Sequence, residues 1–424
     1  PRGKAIPKEG EGVYGVPKNV EVLTHSKLGG FVWAHPDRYY VHKNLREVTV
    51  EVGKTRRLTV SEDHSLYCFD PLQDKCVRTK PTGLAVGALV PLATSVDLPV
   101  VDISLTSPLG HQHALTFDFG WWFGAVVGDG WASKHKSVCL SAGLDATCLM
   151  ERWESLAQLL FSVEHVGKST RKKKKKDAWG VAAKRVINSC DLADWVGQSI
   201  GYGAANKYIP DWVFTSPVLC RLGFLSGLWD TDGHIGQSKS GRWNVALTTK
   251  SLRLAEEVSW LLASFGVFAN VTPEVNVQGR KYWLVSPAIE QFASLDLTLS
   301  TGYKQQAFNS LRRNPPRGTF DKTKAIPIGR QEALALSEAL RGLGAAQRKA
   351  PNKLKTPYSA VRASLKSGRI GRVAAQGVLR LVGEAVAPKL AARLISNERW
   401  AAIQKVAKGP VKRTMYDLRI PGQT

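Results

Sequence analysis

Methionine is almost absent from this 424-residue chain: only Met150 and Met415 occur, and the first residue is Pro1. A primary translation product starts with Met, so the expectation is a chain that is processed, excised or truncated at its N-terminus. Long apolar runs are also missing. The longest, such as Trp121–Val127, fall far short of the ~20 residues a membrane span needs. The opening Pro-Arg-Gly-Lys-Ala lacks the apolar segment of a signal peptide, which predicts the cytoplasm of a prokaryote or of a phage-infected host. The six cysteines form no Cys-x-x-Cys pair and have no partnered histidine spacing. That argues against a zinc site and for free thiols in a reducing compartment.

Acidic residues are scarce in one place. Residues 301–424 hold 25 Lys and Arg against 6 Asp and Glu, which supplies most of the chain's net charge of +24. Such a segment needs a polyanion or a membrane surface as partner. No strongly amphipathic anchor helix accompanies the charge, so nucleic acid is the expected partner and a membrane is not. What is present is ordinary globular composition, 43% hydrophobic and 22% charged, which excludes a disordered or collagen-like chain. A chain this long exceeds one core of ~250–300 residues, so two or three domains are expected.

Residues 20–100 read as β structure, with alternating runs at Glu21–Leu23, Val48–Val52 and Arg57–Val60. Residues 110–310 mix strands and helices, and 311–405 read as mostly helical. Within the mixed region lies a repeat. Residues 119–130 spell Phe-Gly-Trp-Trp-Phe-Gly-Ala-Val-Val-Gly-Asp-Gly, and residues 223–233 spell Gly-Phe-Leu-Ser-Gly-Leu-Trp-Asp-Thr-Asp-Gly. Each copy is followed by a strand (Val138–Ser141; Val245–Thr248) and an amphipathic helix (Glu151–Leu160; Leu254–Leu262), which predicts a pseudo-twofold pair of α/β units.

Gly120, Gly124 and Gly128 recur every four residues, as do Gly223 and Gly227, and so share one helix face. Glycine costs a helix ~1 kcal/mol relative to alanine, so close approach of two backbones is the expected reason. Each helix then ends in Asp-Gly. The glycine suits a helix end, but the aspartate meets the negative end of the helix dipole. If the helices lie side by side, Asp129 and Asp232 meet at their base. Two carboxylates held together against that repulsion suit divalent cations, and two metals flanking a phosphodiester would activate water and stabilise the leaving oxygen.

Residues 122–130 and 225–233 resemble the two signatures of LAGLIDADG homing endonucleases. The resemblance implies a monomer with an internal pseudo-twofold, in which Asp129 and Asp232 bind Mg²⁺ or another divalent cation and both strands of a long double-stranded DNA site are cut. It also implies that Lys207, in Asn-Lys-Tyr-Ile-Pro, and Lys304, in Gly-Tyr-Lys-Gln, orient water or stabilise developing charge near the scissile phosphates.

Residues 56–69, Arg-Arg-Leu-Thr-Val-Ser-Glu-Asp-His-Ser-Leu-Tyr-Cys-Phe, resemble the Thr-x-x-His block of inteins, of the archaeal or phage DNA-polymerase type. Thr414–Thr424 resembles their penultimate block. This implies an all-β, horseshoe-like Hint domain built from both chain ends. His64 would protonate the leaving nitrogen, Ser61 would stand where the family has Thr, and Asp417 would take the acid position. Flanking host-protein sequences would be the splicing partners. The family's first nucleophile and its terminal Asn are missing, so the chain as it stands is not expected to splice. An embedded element, a split partner and an engineered truncation all fit.

The expected organisation is therefore a Hint domain at 1–105 with 406–424, an endonuclease at 106–310 with repeats at about 110–200 and 207–310, and a basic helical DNA-recognition region at 311–405. In that last region Tyr358–Lys366, a turn at Gly368 and Gly371–Leu381 fit a helix-turn-helix or an ordinary basic hairpin. The run Lys172–Lys176 is expected along phosphates. A LAGLIDADG-derived RNA maturase and a Hint protein with a decayed endonuclease are the alternatives.

Overall fold

The computed structural model describes residues 12–15, 20–26, 30–53, 56–101, 103–143, 146–171, 182–316, 325–346, 351–396 and 398–421. Lys172–Lys176 lies outside them. The chain forms two compact units, Ser95–Gly318 and a second assembled from Pro1–Thr94 with Thr319–Thr424.

In the unit 95–318 the repeat becomes two copies of one topology. Helix Phe117–Gly128 leads into strands Gly130–Ser133, Ser137–Gly143, Gly167–Arg171 and Ala182–Ile187. Helix Val218–Thr231 leads into strands Gly233–Gln237, Trp243–Thr249, Ala269–Val275 and Lys281–Pro287. In both four-stranded sheets the first strand pairs with the second, the second with the fourth and the fourth with the third. Helices Thr147–Phe161 and Leu252–Ala263 contain the two expected amphipathic segments. Each buries one stripe, Leu149, Trp153 and Leu156 in the first and Leu254, Val258 and Leu261 in the second. The Asp-Gly helices differ from these. They bury nearly their whole circumference, Phe119 through Gly128 in the first and Cys220 through Asp230 in the second, because each packs on its twin as well as on the core.

The unit built from the chain ends is organised around the long strand Arg38–Val52. It pairs with Gly12–Gly15 and Arg56–Ser61, and also with the 22-residue strand Glu398–Arg419. That last strand runs antiparallel from Ile403↔Val52 to Arg419↔Arg38, with bulges at several points, and its start also pairs with Leu89–Ala93. Residues 398–405, expected to be helical, are therefore strand. Two waiting partner strands override the helix-favouring Ala, Gln and Lys of that stretch. Helices Arg330–Ala346, Pro351–Ser367, Arg372–Val382 and Pro388–Ile395 follow the expected basic helical pattern. They share a core with the strands: Leu336, Val361, Ile370 and Val378 cluster with Phe69, Leu89 and Trp400. Among the described residues no helix is long and apolar enough to cross a membrane.

Candidate active site at the paired helix ends

The glycine face does what its period predicts. A Cβ on Gly120 would lie 2.1 Å from the Cys220 carbonyl oxygen, and one on Gly124 2.1 Å from that of Phe224. Reciprocally, Gly223 would meet the Phe117 carbonyl oxygen at 2.0 Å and Gly227 that of Trp121 at 2.0 Å. Only hydrogen fits between these backbones. Two helices in such contact along their length must end together, so Asp129 and Asp232, each the residue that closes its helix, are brought side by side.

The two carboxyl groups lie close enough to influence each other's charge. Each is partly exposed at its surface, but dense packing around it makes loss of solvation the main influence on its charge. Burial, and then the neighbouring Asp129 charge, pushes the Asp232 carboxyl up to about 7. Burial raises Asp129 as well, against the pull of Lys304 and Lys207. One proton between two carboxylates is the expected result where both cannot ionise together.

Lys207 and Lys304 also arrive here, in matching positions. The Lys207 ammonium donates to the carbonyls of Val127 (2.6 Å), Gly130 (2.8 Å) and Gly128, at the end of the first helix. The Lys304 ammonium donates to Trp229 (3.1 Å), Asp230 (2.8 Å) and Thr231 (2.7 Å), at the end of the second. An ammonium has three donors; three carbonyls take those of Lys304, and those of Lys207 meet the same number with a fourth, Val126, at 3.5 Å. Both lysines are buried, and burial lowers their pKa while the aspartates hold it up. Each cation thus sits at the negative end of a helix dipole and offsets the penalty of placing a carboxylate there. The sequence leads to the expectation that these lysines orient water or stabilise developing charge; in the structure their ammonium groups donate to helix-end carbonyls.

Sequence reading missed the residues that hold the lysines. Asp230, buried, accepts from the backbone N–H of Ser300 (2.6 Å) and Thr301 (2.9 Å), and so anchors helix Gly302–Arg313, which carries Lys304. Ser251 donates to the Lys207 carbonyl (2.6 Å), and Glu257 accepts from Ile209 N–H (2.6 Å). For Asp230 a signal existed: a second acid, two residues before Asp232, on a largely apolar helix whose other charged residue is Arg221.

The other expected constellation forms in the unit built from the chain ends. His64 Nδ1 lies 3.2 Å from Asp417 Oδ1, although the two residues come from opposite ends of the chain. The register that sets Asp417 opposite Tyr40, with Arg56–Ser61 on the far side of the same long strand, brings them together. Burial raises the Asp417 carboxyl, but the hydrogen bond and charge of His64 outweigh it, and the net pKa is lowered. Ser61 is buried, and its carbonyl accepts from His64 N–H at 3.1 Å.

Residues 220–311, from the second Asp-Gly helix through Lys304, match the LAGLIDADG-like domain. A DNA polymerase of Thermococcus sp. (strain GE8) is 28% identical over 281 residues, 62% of this chain and 16% of the relative. The RecA protein of Mycobacterium bovis is 36% identical over 84 residues, 19% of this chain and 11% of the relative. The chain thus spans only about one-sixth or less of these curated relatives. Among solved structures, the homing endonuclease I-WcaI bound to its DNA recognition sequence is 15% identical, with 45% of this chain and 87% of that one covered and a TM-score of 0.34. The chain resembles an intein that contains a LAGLIDADG homing endonuclease, and residues 220–311 are the part that matches the LAGLIDADG-like domain.

Proposed function

We propose that the chain is an intein element: a Hint protein-splicing domain, expected at 1–105 with 406–424 and here built on strands up to Ala93 with Glu398–Arg419, interrupted by an endonuclease that makes double-strand breaks at a long DNA site. The observation that carries the nuclease half is the pair Asp129 and Asp232, held together at the ends of two glycine-packed helices. The donor chemistry fits a hard divalent cation such as Mg²⁺: anionic oxygens, partly exposed, that already require a proton between them. Among the described residues no group of three or more His, Cys, Asp or Glu could hold a metal. The remaining ligands would therefore be backbone carbonyls, water or the nucleic acid itself. A bound cation would lower the pKa of an attacking water and stabilise the departing oxygen. The protein's own part is to fix the carboxylates, exclude bulk water beneath them and hold two cations, Lys207 and Lys304, behind them.

Two observations support the splicing half. The His64–Asp417 contact supplies an imidazole oriented by a carboxylate, as proton donation to a leaving amide nitrogen requires. The curated relatives also share no single activity: a DNA polymerase, a DNA helicase, RecA and DNA gyrase chains are each matched over 9–18% of their length. An element carried inside different host proteins produces that pattern.

The test is incubation of the protein with Mg²⁺ and a plasmid bearing the uninterrupted host-gene junction. Linearisation is expected, and Asp129→Asn or Asp232→Asn should abolish it while DNA affinity persists. Near-normal cutting by either variant would overturn the metal assignment; binding without cutting would favour the maturase or decayed-nuclease reading. For splicing, a version with Cys or Ser as first residue and His-Asn at the end, placed between foreign sequences, should join them. His64→Ala should leave them unjoined, and joining at the wild-type level would remove His64 from the mechanism.

A further inference from the structure

Within the unit built from the chain ends, helices Arg330–Ala346, Pro351–Ser367 and Arg372–Val382 pack around Leu336, Leu340, Val361, Val378 and Leu379. Only the short stretch 368–371 separates the last two helices, and the turn begins at Gly368 with φ +63°. The turn is pinned: Ile370 pairs with Ile326 in a short two-stranded sheet. Arg372 fixes the start of the third helix by donating to the carbonyls of Leu394 and Glu398. Two helices joined by a short, glycine-containing turn match the helix-turn-helix arrangement, in which the second helix is the one presented outward.

The third helix has two unlike faces. Ala375, Val378 and Leu379 are buried. Val373, Gln376 and Arg380, three and four residues apart, form one stripe on the opposite side and are exposed, Val373 by 71%. Val373 contributes little to the core face of this helix and is free to meet a partner. Gly377 lies beside the same stripe, and a Cβ there would meet nothing, so packing does not explain a residue that weakens the helix. Arg362, Lys366 and Arg369, on the preceding helix and turn, are exposed as well. From Arg330 to Val382 there are 11 Lys and Arg against 2 Asp and Glu, a charge that suits a polyanion.

We propose that Arg372–Val382 lies in the major groove of double-stranded DNA and reads bases through Val373, Gln376 and Arg380, while Arg362, Lys366 and Arg369 bind the flanking phosphates. The side-chain chemistry matches the groove: valine meets a thymine methyl, glutamine pairs with the N6 and N7 edge of adenine, and arginine with O6 and N7 of guanine. The chain then carries a base-reading element outside the unit that holds the Asp129–Asp232 pair. This inference rests on the DNA-endonuclease reading and deepens it.

The experiment is selection of bound duplexes from a random library by the full chain bearing Asp232→Asn, which prevents cutting, with and without Gln376→Ala and Arg380→Ala. A random RNA library is run alongside. The expected result is an enriched duplex site in which a block of three or four adjacent base pairs loses its preference in the Gln376/Arg380 variant, the other positions being unchanged. Affinity for the selected site should fall about 5- to 150-fold for each lost bidentate contact. Arg362→Ala with Lys366→Ala should weaken every duplex alike and reduce the log–log salt slope by ~0.9 per lost phosphate contact. All four side chains are exposed, so the melting temperatures should match the parent. An identical enriched site at affinity within twofold for the Gln376/Arg380 variant would overturn the inference and leave the nuclease reading standing. Enrichment of RNA but not of any duplex would overturn both.

Discussion

Replacing Gly124 with alanine tests the helix pair directly. The new Cβ would lie 2.1 Å from the Phe224 carbonyl oxygen, 2.9 Å from its carbonyl carbon and 3.0 Å from Leu228 N. All three are backbone atoms of the opposing helix, so no side-chain rotation relieves the clash. Reaching ordinary contact requires the helices to part locally by about 1 Å, inside a core that holds Trp121, Trp122, Phe123 and Phe224 with no exposed surface. Overpacking typically costs ~1–3 kcal/mol, and contact with rigid backbone belongs at or above the top of that range. Alanine returns ~1 kcal/mol through helix propensity. The net loss should be about 2 kcal/mol or more, which in a unit of this size lowers Tm by ~4–8 °C. Calorimetry of the intact chain reads it. Gly342→Ala is the matched control, since a Cβ there meets nothing within 4 Å and the same substitution should stabilise by up to ~1 kcal/mol. If Gly124→Ala melts at or above the parent temperature, close backbone contact is not what the glycines are for.

Asp232, held near 7 in the folded protein against 3.8 in the unfolded chain, makes native molecules bind more protons between those values. Its contribution to stability is therefore greatest at low pH and is lost as pH rises toward 7. Without metal, the Tm of the 95–318 unit should fall from pH 5 to pH 8 more steeply in the parent than in Asp232→Asn, and Mg²⁺ should raise Tm more at pH 8 than at pH 5; equal slopes would contradict the shared proton. Asp230→Asn removes the charge that accepts two backbone N–H groups before helix Gly302–Arg313, and should cost ~1.5–3 kcal/mol in calorimetric unfolding. A Tm within 1 °C of the parent, roughly 0.3–0.5 kcal/mol at this size, would show that another group can cap that helix.

The parts of the site legible in the sequence were those written as local patterns. Glycine every fourth residue announced a backbone-to-backbone face, and two Asp-Gly endings in matched contexts placed Asp129 and Asp232 together. The His64–Asp417 contact was legible only through resemblance, because nothing local links residues at opposite ends of a chain. The destination of the Lys207 and Lys304 ammonium groups was not legible. A long side chain reaches several targets, and only the finished fold shows that three helix-end carbonyls lie nearest. The strand at 398–405 was hidden for the opposite reason: its composition favours helix, and the strands that capture it lie more than 300 residues earlier.

That last pairing sets an order in time. Strand Arg38–Val52 has one edge covered early, by Gly12–Gly15 and Arg56–Ser61, but its other edge receives, among the described residues, Glu398–Arg419 alone. A ribosome adding ~5–20 residues per second takes roughly 20–70 s to travel from one to the other. Throughout that interval the unit 95–318 can fold on its own contacts, while the growing chain carries an open β edge beside Val48 and Val50 that a chaperone or another nascent chain could occupy. His64 has no Asp417 beside it until residue 417 has been added, so that contact cannot form before residues 95–318 have been made.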